Sequence, residues 1–205
     1  MNPEEFVNKG VVSPDDLIGK AGKISKLFCA KAQSNAVIPM RLLFHGEAGI
    51  GKSASAKLIA GALNPNMAMI RHLSAKSITP EMVRDWMMDL CFARDDWNVI
   101  LIEEVDAIQD AVEVLLLQYM DKMTDKTALI MTSNEKMSGI TDRFSSRAQV
   151  FQFDLPHVKD VADFIKDRWP ELEDVADEIA HNNNGDVRAS LNDSQTEWDI
   201  RKFLS

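Results

Sequence analysis

The chain has 205 residues, 45% of them hydrophobic and 27% charged, which fits a globular protein of one large domain, or a medium domain with a small companion. Its net charge of −9 argues against a surface coated with basic residues for nucleic acid, although helix N-termini can still hold phosphates locally. No apolar run approaches bilayer length, the acidic start Met1-Asn2-Pro3-Glu4-Glu5 has no signal-peptide core, and Cys29 and Cys91 are isolated, so the expectation is a cytoplasmic protein with no membrane partner, no disulfide and no metal other than Mg²⁺.

Ser13-Pro14-Asp15-Asp16 reads as a helix start, and Leu17, Ile18, Ile24, Leu27 and Phe28 supply an apolar stripe, so a helical prelude is predicted between residues 11 and 33. A strand over 41–45 then leads into Gly46-Glu47-Ala48-Gly49-Ile50-Gly51-Lys52-Ser53, a complete G-x-x-x-x-G-K-[ST] loop. Glycines let the backbone turn successive N–H groups toward phosphates, Lys52 reaches the β and γ oxygens, and the Ser53 hydroxyl can ligate Mg²⁺. A helix over 53–63 follows, so strand, loop and helix come in the order a triphosphate site requires.

Further strands are predicted over 68–72, 98–102, 128–132 and 150–153, separated by helices over 80–93 and 107–122 and a short one over 138–146. Strands alternating with helices imply an α/β fold with a parallel sheet covered on both faces. From Pro156 onward only helices are predicted, over 157–169, 171–182 and 186–203, punctuated by Pro170 and by Asn183-Asn184-Gly185. The expected division is a nucleotide-binding domain over 1–155 and a small all-helical lid over 156–205.

Two strand ends carry polar chemistry. Val99-Ile100-Leu101-Ile102 runs into Glu103-Glu104, with Asp106 just beyond, and Ala128-Leu129-Ile130-Met131-Thr132 runs into Ser133-Asn134. Open α/β sheets place ligands at the carboxyl ends of their strands. In P-loop ATPases the first acid holds Mg²⁺, often through water, and the second polarises the attacking water; those would be Glu103 and Glu104. Glu103 is one methylene longer than the usual Asp, so its metal contact is expected to be looser or indirect. The amide of Asn134 can orient the same water, while Ser-Asn after a strand is also an ordinary turn signal.

Together these residues resemble an AAA+ ATPase, and the details resemble the clamp-loader branch, the replication factor C small subunits and their phage and bacterial relatives. The resemblance is carried by Pro14-Asp15-Asp16-Leu17-Ile18-Gly19-Lys20, by Leu42-Leu43-Phe44-His45-Gly46, by Glu103-Glu104-Val105-Asp106, and by Ile140-Thr141-Asp142-Arg143-Phe144-Ser145-Ser146-Arg147-Ala148 ahead of Phe151-Gln152-Phe153. Gly185-Asp186-Val187-Arg188 is similar to the family's G-D-x-R. The sequence departs from the pattern in Glu103, in Ala148 where clamp loaders have Cys, in lacking the tyrosine-arginine-proline signature, and in having no C-terminal helical collar domain among these residues. The last point leaves assembly open between a piece of a longer chain and a short relative that assembles by another route.

The resemblance implies ATP and Mg²⁺ as cofactors. Nucleotide contacts would come from Val11, Ile18, Gly46, Glu47, Ala48, Gly49, Ile50, Gly51, Lys52, Ser53, Ala54 and Arg188, and Mg²⁺ would be held by Ser53 and Glu103. Lys52, Glu104, Asn134 and Arg188 would act in catalysis, joined by Arg147 as a finger on ATP bound to a neighbouring subunit. Partners would be other AAA+ subunits in a homo- or hetero-oligomer, a sliding clamp and primed DNA. Lys76, Ser77 and Arg84 are candidates for DNA phosphates, against the simpler reading of Thr79-Pro80-Glu81 as a helix start. The function implied is an ATPase that loads a sliding clamp; a helicase loader or replication-initiation ATPase, and a nucleotide-binding scaffold with little turnover, are the alternatives.

Overall fold

The computed structural model describes residues 11–34, 38–92, 95–134 and 142–203. Five strands, β1 (Met40–His45), β2 (Ile70–Ser74), β3 (Asn98–Glu103), β4 (Thr127–Ser133) and β5 (Gln149–Gln152), form one sheet in the order β2-β3-β4-β1-β5. Every pairing is parallel, so all the carboxyl ends lie along one edge. The loop after β1 and the acids after β3 therefore flank the end of β4, where Ser133 and Asn134 stand.

The central strands are near-continuous apolar runs because both faces of the sheet are covered. On one face, α1 (Gly19–Gln33) and α2 (Lys52–Leu63) pack Ile24, Phe28 and Ile59 against Leu42, Phe44, Leu101 and Ile130. On the other, α3 (Pro80–Asp89) and α4 (Asp110–Lys122) pack Val83, Trp86, Leu116, Tyr119 and Met120 against Leu43, Ile100, Ile102, Leu129 and Met131. Residues alternate between the two clusters along each strand, as the period of two dictates. On α3 and at its end, Trp86 is buried and Met82, Met87 and Leu90 pack against the same core.

The differences from the predicted boundaries have local causes. β2 lies two residues later than expected, its register fixed by pairing Ile70 with Val99 and Ser74 with Glu103. α4 begins at Asp110 rather than 107, because Val105–Ala107 form a separate 3-10 turn. α3 starts where expected, capped by the Thr79 hydroxyl accepting from the Met82 N–H at 3.3 Å with Pro80 in the first turn, and ends at Asp89. The helix expected over 138–146 is present as α5 (Asp142–Ser145); residues 138–141 lie outside the described residues.

The C-terminal helices α6 (Val158–Arg168), α7 (Ala176–Asn182) and α8 (Val187–Phe203) gather around Val161, Ala162, Ile165, Leu172, Ala176 and Ala180, with Ile18 packed against them. The helix predicted over 171–182 is in fact a 3-10 turn at Pro170–Leu172 followed by α7. Asn184, at φ 50°, closes α7. The N–H of Gly185 reaches Ala180 O and that of Asn184 reaches His181 O, the paired bonds of a Schellman cap. Among the described residues no helix is long and apolar enough to cross a membrane.

Candidate functional site

The loop between β1 and α2 is fixed from below. Phe153 N–H donates to His45 O at 2.7 Å, and the rings of Phe44 and Phe153 lie 5.1 Å apart. Gly46, at φ +140°, presses so close to this strand end that a Cβ there would stand 2.2 Å from Phe153 O; no side chain fits. Gly51, at φ 91°, leads directly into α2, leaving the helix's first N–H groups free of intrahelical partners and available to an anion.

Lys52 is buried at the start of α2, its ammonium donating to the carbonyls of Gly46, at 2.9 Å, and Glu47. Burial, reinforced by the charge of Arg188, pushes its pKa down to about 8. Ser53 follows, close enough to Glu103 at the end of β3 to favour that carboxylate's charged form. His72 Nε2 stands 3.3 Å from Glu103 Oε2 and Lys57 Nζ 3.8 Å from Oε1. The hydrogen bond from His72 holds the Glu103 carboxyl below its ordinary value; the Lys57 charge and Ser53 add to this, and burial opposes it.

Glu104 adopts a left-handed backbone, φ 57° and ψ 51°, which costs a non-glycine residue roughly 1–2 kcal/mol. Its carbonyl accepts from Ala107 N–H at 2.9 Å, so the turn behind it fixes that conformation. Asp106 ties the ends of β3 and β4 together, accepting from the backbone N–H of Asn134 at 3.2 Å. From the C-terminal helices, Asp186 caps α8 through Ala189 N–H at 3.0 Å. Its carboxylate also lies so near the loop that a Cβ on Gly49 would stand 2.8 Å from Oδ1.

These pieces surround one cavity of about 530 Å³. Its wall contains Val11, Ile18, Ala48, Gly49, Ile50, Gly51, Lys52, Ser53, Ala54, Glu103, Glu104, Asn134 and Arg188, so most of the residues predicted from sequence meet there. Gly46 and Glu47 stand behind the wall and offer their carbonyls to Lys52. Asp16, Leu17, Ala21, Lys57, Thr132, Val187, Leu191 and Asn192 also line it and escaped the sequence reading. Leu17 belonged to the recognised apolar stripe, which gave no sign that one edge of it faces a ligand space.

Oxygen donors of the Ser53–Glu103 kind suit Mg²⁺, which takes one or two protein ligands and completes its shell with water and phosphate. Among the described residues no group of three or more His, Cys, Asp or Glu forms a protein cage for a metal, and a phosphate-bound ion needs none.

Arg147 lies elsewhere. Its Nε donates to Asp121 Oδ1 at 2.9 Å and its Nη1 to Arg143 O at 3.2 Å, and it does not line the cavity. The DNA candidates are likewise outside. Ser77 Oγ donates to Ser74 O at 2.8 Å, Arg84 pairs with Glu81 at 3.3 Å, and Lys76 is exposed in the 3-10 turn before α3.

A strand-loop-helix phosphate cradle, acids on the next-but-one strand and a polar strand end between them define a P-loop nucleotide-binding ATPase. The model of the ATPase family associated with various cellular activities (AAA) matches residues 42–154: the chain belongs to this family. It is 28% identical over 166 residues to the replication factor C small subunit of Halobacterium salinarum, covering 74% of this chain and 50% of that protein. It is 27% identical over 194 residues to that of Natronomonas pharaonis, covering 88% and 58%. The chain thus spans about half the length of the curated relatives it matches. In fold it is similar to the Thermotoga maritima RuvB Holliday junction branch migration motor, with TM-score 0.72, 24% identity and coverage of 94% of this chain and 66% of that one. Domain III of the Thermotoga maritima replication initiation protein DnaA is also similar, with TM-score 0.64, 16% identity and coverage of 89% and 85%.

Proposed function

We propose that this chain is an ATP-binding and hydrolysing subunit of a clamp-loader-like DNA replication assembly, working with other AAA+ subunits on a sliding clamp and primed DNA. The observation that carries the reading is the division of basic residues. Lys52 and Arg188 share the cavity with both glutamates and Asn134, whereas Arg147 is held away from it by Asp121. A cavity that lacks the arginine of the family's finger motif fits a site completed by a neighbouring subunit. The likeness to replication factor C small subunits over most of the chain supports the clamp-loader branch.

In this reading the loop N–H groups and Lys52 bind the triphosphate, and Val11 and Ile18 wall the nucleotide. Ser53 and Glu103 would hold Mg²⁺, which would supply charge neutralisation for the phosphates. Glu104 accepts the proton of the attacking water, and Asn134 orients that water, its position fixed by the Asp106 bond. Arg188 reports the nucleotide to residues 156–205, which we assign as the helical lid over the domain formed by 1–155. Arg147 of the adjacent subunit stabilises the charge developing on the transferred phosphoryl group.

The test is the ATPase rate as a function of protein concentration, alone and with primed DNA and candidate sliding clamps. A rate per subunit that climbs with concentration and climbs again with clamp and primed DNA supports the reading. Stimulation by a replicative helicase without clamp binding assigns the chain to helicase loading or initiation. Tight ATP binding with no phosphate release in any mixture assigns it to a scaffold role.

A further inference from the structure

Two side chains that the reaction scheme leaves unused converge on Glu103. Lys57 lies one helical turn beyond Ser53 on α2, so the two face the same way, and its Nζ is 3.8 Å from Glu103 Oε1. His72 arrives from β2, where parallel pairing sets it beside Leu101. Leu101 and Glu103 point to the same face of the sheet, and the imidazole Nε2 is 3.3 Å from Oε2. Ser53 lines the same cavity as Lys57 and Glu103. Lys57 is largely covered, with 13% of its side chain exposed, while His72 and Glu103 keep 28% and 29% of theirs exposed, so the contact is only partly screened by solvent.

The arrangement answers a problem the sequence poses. A glutamate has one more rotatable bond than an aspartate, and an unsupported Glu103 would spread over several rotamers. Here each carboxylate oxygen has its own nitrogen partner, from a different element, and each keeps lone-pair capacity for a further donor. Mg²⁺ gives up its waters reluctantly, and a carboxylate fixed in this way is suited to accept from those waters.

We propose that Lys57 and His72 are positioning residues of the triphosphate site, clamping Glu103 as a fixed acceptor for the hydrated magnesium that arrives with the nucleotide. The proposal rests on the nucleotide reading given above. It assigns a function to two residues outside the loop and outside the acidic pair, and it explains how the longer acid is accommodated.

The experiment uses the full chain and a fluorescent non-hydrolysable ATP analogue, titrated once with excess Mg²⁺ and once with EDTA; the ratio of the two affinities is the magnesium increment. Removing a partner that orients a metal-binding group costs about 10–100-fold in metal affinity. Lys57→Ala and His72→Ala should therefore each reduce the increment about tenfold or more and leave the EDTA affinity within about twofold. His72→Gln, which keeps an N–H near the imidazole Nε2 position, should recover most of the loss. In a Glu103→Gln background, His72→Ala should add little, because coupled residues are not additive. Thermal melts accompany each variant, and Lys57→Met or His72→Leu, which keep the side-chain bulk and remove the nitrogen, replaces any alanine variant that melts below the assay temperature. An unchanged increment in both alanine variants overturns the proposal. So does an equal loss with and without Mg²⁺, the signature of a direct phosphate contact or a mere wall. If the unmodified chain shows a magnesium increment and the variants keep it, only this inference falls; if it binds no triphosphate under either condition, the nucleotide reading falls with it.

Discussion

Lys52 and Arg147 are the two cations proposed to serve the same phosphates, and the fold treats them in opposite ways. Lys52 is buried at the centre of the sheet's carboxyl edge, in a loop pinned by the Phe153 backbone, and its charge is suppressed by burial. Arg147 stands beyond α4, with its side chain 35% exposed and steered by Asp121 and the Arg143 carbonyl. The first is built to receive a ligand within its own chain. The second is oriented yet outside the cavity, as expected of a group whose target belongs to another subunit. Binding and turnover are then separable, and each can be broken without the other.

The largest effect is expected at Arg147. Arg147→Ala should lower turnover by roughly 10³–10⁵-fold while leaving ATP affinity within about twofold, measured by steady-state hydrolysis and equilibrium binding side by side. A comparable loss of affinity would place Arg147 in its own chain's site and erase the contrast. Glu104→Gln should reduce turnover by roughly 10²–10⁴-fold and trap bound ATP, visible as unhydrolysed nucleotide after rapid filtration; near-normal turnover would remove Glu104 as the base. Lys52→Ala should weaken binding itself, by about 100-fold for a lost charge-assisted hydrogen bond of about 2.7 kcal/mol, read by fluorescent nucleotide titration.

The smallest effect sharpens the description of the buried cation. With its pKa near 8 instead of 10.5, Lys52 is about half deprotonated at pH 8 in the free protein, and bound phosphates restore its charge. Nucleotide binding at pH 8 should take up about half a proton, and at pH 6.5 almost none, measured by calorimetry in buffers of different ionisation enthalpy. The same depression means that this group's effect on folding stability becomes more favourable as pH rises from about 8 toward 10.5. Proton uptake that does not change with pH would show that Lys52 is fully charged before nucleotide arrives.

The fold was legible because its signals are local. Apolar runs marked all five strands, and the glycine-lysine-serine loop placed the first of them at the site. Long-range consequences were not legible. Nothing near His72 announces that register with β3 will bring it to Glu103, and Lys57 reads as a solvated lysine until α2 is docked on the sheet. The breaks at Val105–Ala107 and Pro170–Leu172 were missed for a related reason. Short 3-10 turns share the composition of the helices they precede, and only packing decides where the longer helix begins. Val187, Leu191 and Asn192 entered the cavity wall because α8 is set against the loop through Asp186, a contact between residues more than a hundred positions apart.

The central claim, that one subunit holds the triphosphate and the next completes the site, is tested most directly by mixing Lys52→Ala protein with Arg147→Ala protein. Neither hydrolyses ATP alone in this account. Together they should regain a measurable fraction of the unmodified rate, with Lys52→Ala subunits lending Arg147 to Arg147→Ala subunits that bind ATP. Mixed assemblies shown by cross-linking to contain both variants, with no activity recovered, would contradict it.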